Sequence, residues 1–185
     1  MKVIEQEIHS LKNSISEMWA LVHQQLYNAG EAMLTGDKEL AYKVISRERR
    51  VNAFELKIDS DCEDIIALYA PVAIDLRFVL AMYKINTNLE RLGDFAESIA
   101  RFAGNLPEGE PIDPQLVKET RVEEMLSELL SMISLTKEAF EKESSEIASR
   151  IFLKDNLIDE INHNSTAIIA KYIEEHKGSA SLIHI

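Results

Sequence analysis

The sequence predicts an all-α protein built as two tandem three-helix bundles, with the second bundle incomplete. Three observations carry that expectation. The 185 residues include only 6 Gly and 4 Pro, the residue types that interrupt helices most strongly. Apolar side chains recur at three- and four-residue steps through segments of about thirty residues, the period of a helix with one buried face. A single concentrated Gly/Pro stretch divides the chain, and a segment before it is matched by a segment after it.

The first helix is expected from about Ile4 to Leu34, where Ile4, Ile8, Leu11, Ile15, Met18, Val22, Ala29 and Met33 form one stripe. Gly36 ends it, and Asp37 offers the next N-cap. The second runs from about Lys38 to Tyr69, burying Leu40, Val44, Val51, Phe54, Ile58, Cys62, Ile65 and Tyr69 until Pro71 breaks it. The third runs from about Val72 to Ala103 with Ile85, Leu89, Leu92, Ala96, Ile99 and Phe102 at core spacing. These three make a first bundle over residues 1–104, followed by a linker over 105–117 that holds Pro107, Gly109, Pro111 and Pro114. Two more helices are expected over about Lys118–Glu143 and Glu146–Glu175, within a second repeat spanning 118–185, and the tail "HKGSASLIHI" is weakly patterned.

"DKELAYKVISRERRVN" from Asp37 aligns without gaps on "SSEIASRIFLKDNLID" from Ser144, an offset of about 107 residues. A period that long marks a duplicated domain rather than a stacked solenoid. Carried to Glu90, the offset falls roughly a dozen residues past Ile185, so the second copy is expected to stop where its third helix should begin. A helix pair with an uncovered apolar face points to a homo-oligomer.

Composition narrows the function. A formal net charge of −12 argues against nucleic acid and for basic protein surfaces or metal cations as partners. Cys62 is the one cysteine, so no disulfide framework indicates an oxidising compartment. The N-terminus lacks the pattern of a signal peptide, and no apolar run approaches a membrane span, which together predict a cytoplasmic protein. No Gly-rich phosphate loop or nucleophile elbow is present, and no catalytic residue is assigned.

The chemistry-bearing feature is a set of acidic pairs at i,i+4. Glu90 and Asp94 share a side of the third helix with Glu97, opposite Leu92, Phe95 and Ile99 on a helical wheel. Read alone, this is a solvated face with Glu97–Arg101 as a favourable pair. Glu48 and Asn52, continued by Glu55 and Asp59, repeat the spacing on the second helix, and Asp155 and Asp159 repeat it at the matched positions of the second copy. Helices that bring two such strips face to face gather hard oxygen donors for iron, manganese, magnesium or calcium. Solvated strip and metal site therefore both remain open on the residues alone. The Glu160–His163 spacing is half of a ferritin-like di-iron motif, which keeps a carboxylate-bridged enzyme or a metal-storage protein as the alternative. The remaining histidines, His9, His23, His176 and His184, have no glutamate three residues upstream.

The stretch from Val44 to Ala100 resembles the PhoU family of phosphate-transport accessory proteins. Its recognisable pieces are Pro71-Val72-Ala73-Ile74-Asp75-Leu76-Arg77 at the helix turn and Glu90-Arg91-Leu92-Gly93-Asp94 in the third helix. The resemblance implies tandem three-helix bundles and, in some members, surface metal clusters held by acidic i,i+4 pairs. It implies Glu48, Glu90 and Asp94 as metal ligands of the first repeat, and Asp155 and Asp159 as ligands of the second. Asn52 stands where an acid is expected, and the second repeat's main acidic pair falls outside this chain. The function implied is negative regulation of phosphate uptake and of the phosphate-starvation response. The partners implied are a phosphate ABC transporter and a sensor histidine kinase, with membrane contact only through them.

Overall fold

The computed structural model describes residues 3–107 and 111–176. Every regular element in that range is helical: α1 (Val3–Thr35), α2 (Lys38–Tyr69), α3 (Ala73–Asn105), α4 (Pro114–Thr120), α5 (Val122–Glu141) and α6 (Ser145–Glu175). The all-α expectation holds. Gly109 of the expected linker, and the tail from residue 177 with His184, lie outside the described residues.

Helices α1, α2 and α3 pack mutually along their lengths. Their shared core contains Leu11, Ile15, Met18, Val22, Val51, Ile58, Ile65, Val79, Met82 and Leu89. The expected stripe on α1 is fully buried from Leu11 to Ala29, whereas Ile4, Ile8 and Met33 toward its ends are half-buried. Trp19 belongs to this core and stacks on Phe140 of α5 at 5.8 Å between ring centroids. Cys62 is buried, and desolvation, followed by Asp59, Asp61 and Glu63, pushes its thiol up to about 12. Such a thiol stays protonated and unreactive near neutral pH.

The repeat appears in the capping. Asp37 Oδ1 accepts from Leu40 N at 2.9 Å to open α2, and Ser144 Oγ accepts from Ile147 N at 3.3 Å to open α6. Each satisfies an otherwise orphaned first-turn donor at matching positions of the two copies.

Part of the segment expected as linker is helical. Asp113 caps α4, accepting from Gln115 N at 2.8 Å, and Pro114 begins the helix where its missing N–H costs nothing. Leu106, Ile112, Leu116 and Val117 form their own small core with Ile168, Ile169 and Tyr172 of α6. The Tyr172 hydroxyl donates to Asp113 Oδ2 at 2.6 Å. Arg121, at φ 54°, separates α4 from α5.

Helix α5 rests on α1 at Gly30, where an added Cβ would collide with Leu126 Cδ2. Helix α6 packs on α5 and α4, and Ile161 is its one fully buried residue. Val44, Val51 and Ile65 of α2 are at most 2% exposed, but their repeat equivalents Ile151, Ile158 and Tyr172 of α6 are only half-buried. The difference follows from the packing, because α2 is covered by both α1 and α3. No helix among the described residues is long and apolar enough to cross a membrane.

Candidate functional site

The seam between α2 and α3 carries the acidic side chains. The two helices approach closely because Gly93 faces Val51: a Cβ at position 93 would lie 2.8 Å from Val51 Cγ1. The buried row of α3 is Val79, Met82, Asn86, Leu89, Gly93, Ala96, Ala100 and Ala103. This corrects the wheel reading, in which Phe95 belonged to the inner face. Phe95 is 55% exposed, while Glu90 and Glu97 are half-buried. The close approach at Gly93 rotates the small residues inward and places the acidic strip beside α2.

Glu48 and Glu55 on α2 therefore meet Glu90, Asp94 and Glu97 on α3 electrostatically. Burial, then Asp94, then Glu55 raise the Glu90 carboxyl above its ordinary value. Glu48 is raised by burial first and then by Glu97 and Asp94, opposed by a hydrogen bond from Asn52 and by Arg101. Glu55 is raised by burial, Asp59 and Asp94. Arg101 pairs with Glu97 at 2.6 Å, as the i,i+4 spacing predicts. At neutral pH the seam thus holds like charges in mutual repulsion, which a cation would relieve.

Asn86 anchors the lower end of the strip. Fully buried, it donates from Nδ2 to the Glu55 carbonyl at 2.9 Å and to Asp59 Oδ1 at 2.7 Å, while its own Oδ1 is buried without a partner. Sequence reasoning passed over Asn86, although a polar residue at a core-spaced position between Met82 and Leu89 was the available signal.

The donors are all-oxygen, the chemistry that hard cations take. The spacing is more open than a coordination sphere: among the described residues, no three His, Cys, Asp or Glu side chains are gathered closely enough to hold a metal ion. Of the sequence-derived candidates, Glu48, Glu90 and Asp94 come together at the seam. Asp155 and Asp159 do not join them; both are exposed on α6, and among the described residues no helix lies against α6 as α3 lies against α2. Glu160 pairs with Arg121 at 2.9 Å and His163 is exposed, so the di-iron half-motif finds no counterpart among the described residues.

The PhoU domain matches residues 15–103 and 122–185, most of the chain, and leaves out the segment around α4. This chain belongs to the PhoU family. A PhoU homolog of Aquifex aeolicus, named as a phosphate-specific transport system accessory protein, is 33% identical over 91% of this chain and 75% of its own length. The accessory protein PhoU of Escherichia coli is 34% identical over 83% of this chain and 62% of its own length. Among solved structures, the phosphate transport system regulatory protein PhoU of Streptococcus pneumoniae superposes with a TM-score of 0.82 at 28% identity, covering 93% of this chain and 79% of that one. PhoU from Pseudomonas aeruginosa shares the fold with a TM-score of 0.85 at 24% identity, covering 97% and 85%. The two stretches that carry the PhoU resemblance thus lie at the α2–α3 turn and on the α3 side of the acidic seam.

Proposed function

We propose that this chain is a non-enzymatic accessory protein of a phosphate transport system, a cytoplasmic adapter between a phosphate ABC transporter and a sensor histidine kinase that restrains the phosphate-starvation response. The names of its relatives support the transport connection. The observation that carries the site is the α2–α3 seam, where Glu48, Glu55 and Glu90 are all raised first by burial and then by neighbouring carboxylates, Asp94 among them in each case. A hard cation such as manganese, magnesium, calcium or ferric iron would replace that repulsion with attraction, held by Glu48, Glu90 and Asp94. Asn52, in place of an acid, makes this an understocked site. The half-exposed Ile151, Ile158 and Tyr172 support self-association through the α5–α6 face.

The test is metal analysis of protein purified without chelator, together with thermal unfolding in a manganese titration. A ligand at about 100 times its Kd raises stability by about 2.7 kcal/mol. Glu90→Ala with Asp94→Ala should abolish that gain, and Asn52→Asp should enlarge it. Absence of bound metal, with all three chains responding alike, would sink the metal assignment.

A further inference from the structure

The turn joining α2 to α3 departs from the pattern of the chain's other helical hairpins. Between α1 and α2 the left-handed position is Gly36, and Asp37 caps the next helix. Between α5 and α6 one residue, Glu143, is left-handed, and Ser144 provides the cap. Between α2 and α3, both Ala70 at φ 45° and Ala73 at φ 48° are left-handed, and Val72 opens α3 with no side-chain cap. A Cβ in that region is strained. Pro71 is buried and Tyr69 packs on the core, so the turn is anchored from beneath. From its outer side project Leu68, 71% exposed, Val72, 74% exposed, and Ile74, 79% exposed. Exposed Glu63, Asp64 and Asp75 flank the tip along the chain, with Arg77 as the cation in that stretch, and Lys12 of α1 shares a groove with Ile74 and Asp75.

We propose that this turn is a docking knob for a protein partner, and that the partner offers an apolar cleft rimmed by Lys and Arg side chains. Local rules of capping and turn chemistry are broken where an apolar tip is held out, the combination expected at a recognition site rather than at a structural turn. Charge selects the occupant. An anionic lipid surface would repel the acidic rim, and a second copy docked at this turn would bring the same acidic rim against it. A basic-rimmed cleft complements both the tip and its surround. Because the tip is already exposed, docking it removes apolar surface from water without unpacking the core.

The proposal rests on the reading that this chain works with a phosphate transport system, so the probe is the ATPase subunit of the phosphate transporter from the same organism. Its binding is measured by surface plasmon resonance to the unaltered chain, to Leu68→Ser/Ile74→Ser, and to Val72→Ser. Unaltered protein should bind, and each variant should bind at least about tenfold more weakly with an unchanged melting temperature. Equal binding by all three overturns the knob and leaves the transport reading standing. No binding by the unaltered chain overturns both. Co-sedimentation of the unaltered chain, and not of the variants, with phosphatidylglycerol vesicles would overturn the protein cleft by making the turn a lipid anchor.

Discussion

Replacing Gly93 by Ala tests whether the close α2–α3 approach creates the acidic seam. The new methyl would lie 2.8 Å from Val51 Cγ1 and 3.5 Å from Val51 Cβ and Cγ2. Ordinary carbon contact needs a retreat of about 0.7 Å. Val51 is 1% exposed and, being β-branched in a helix, has essentially one rotamer, so the helices must part rather than the side chain turn. Overpacking of this kind costs about 1–3 kcal/mol, against about 1 kcal/mol gained by Ala over Gly in a helix interior. The net expectation is a loss of about 0–2 kcal/mol in urea unfolding. Val51→Ala removes the obstructing methyls, so the double variant should be more stable than the sum of the single changes predicts, by about 1–2 kcal/mol. Parting the helices should also let the Glu90 carboxyl fall toward its ordinary value, which carboxyl NMR titration reads. A Gly93→Ala protein stabilised by about 1 kcal/mol, with strict additivity to Val51→Ala, would refute the close-approach account.

Two further outcomes follow from the turn and the seam. Ala70→Gly should stabilise the fold by about 0.5–1 kcal/mol in urea unfolding, because glycine adopts the left-handed position without the Cβ penalty. The raised carboxyls of Glu48, Glu55 and Glu90 retain protons in the folded chain that the unfolded chain has already released. Their contribution is fully present below the unfolded pKa and is lost as pH rises through the folded one. The metal-free protein should therefore lose that part of its stability as pH rises above the ordinary glutamate value of about 4.3, and Glu90→Gln should flatten the loss. Carboxyls held low by partners, such as Asp113 by Tyr172 and Glu141 by Lys137, act in the opposite sense, losing their contribution as pH falls through their folded values.

Particular residues show how far the sequence reached. Helix-forming composition, the Gly36–Asp37 boundary and Pro71 marked the limits of the first three helices because capping and proline geometry act within a few residues. The 107-residue echo aligned Ser144 with Asp37, and the structure shows both as N-caps. The α4 helix was not legible, because Pro107, Pro111 and Pro114 read as breakers until Leu116 and Val117 are seen buried against Ile168 and Ile169. The side of α3 was misjudged for a similar reason. A wheel averages hydrophobicity around a helix, and it gave Phe95 more weight than Gly93.

The sequence by itself therefore determined the all-α class, the duplication, and the presence of recurring acidic pairs, since each depends on residue type and spacing along the chain. Only the tertiary structure decided that Glu48, Glu55, Glu90 and Asp94 share one seam while Asp155 and Asp159 stand apart. That decision lies in helix–helix contact: a missing Cβ at Gly93 brings α3 against α2, and among the described residues nothing equivalent lies against α6.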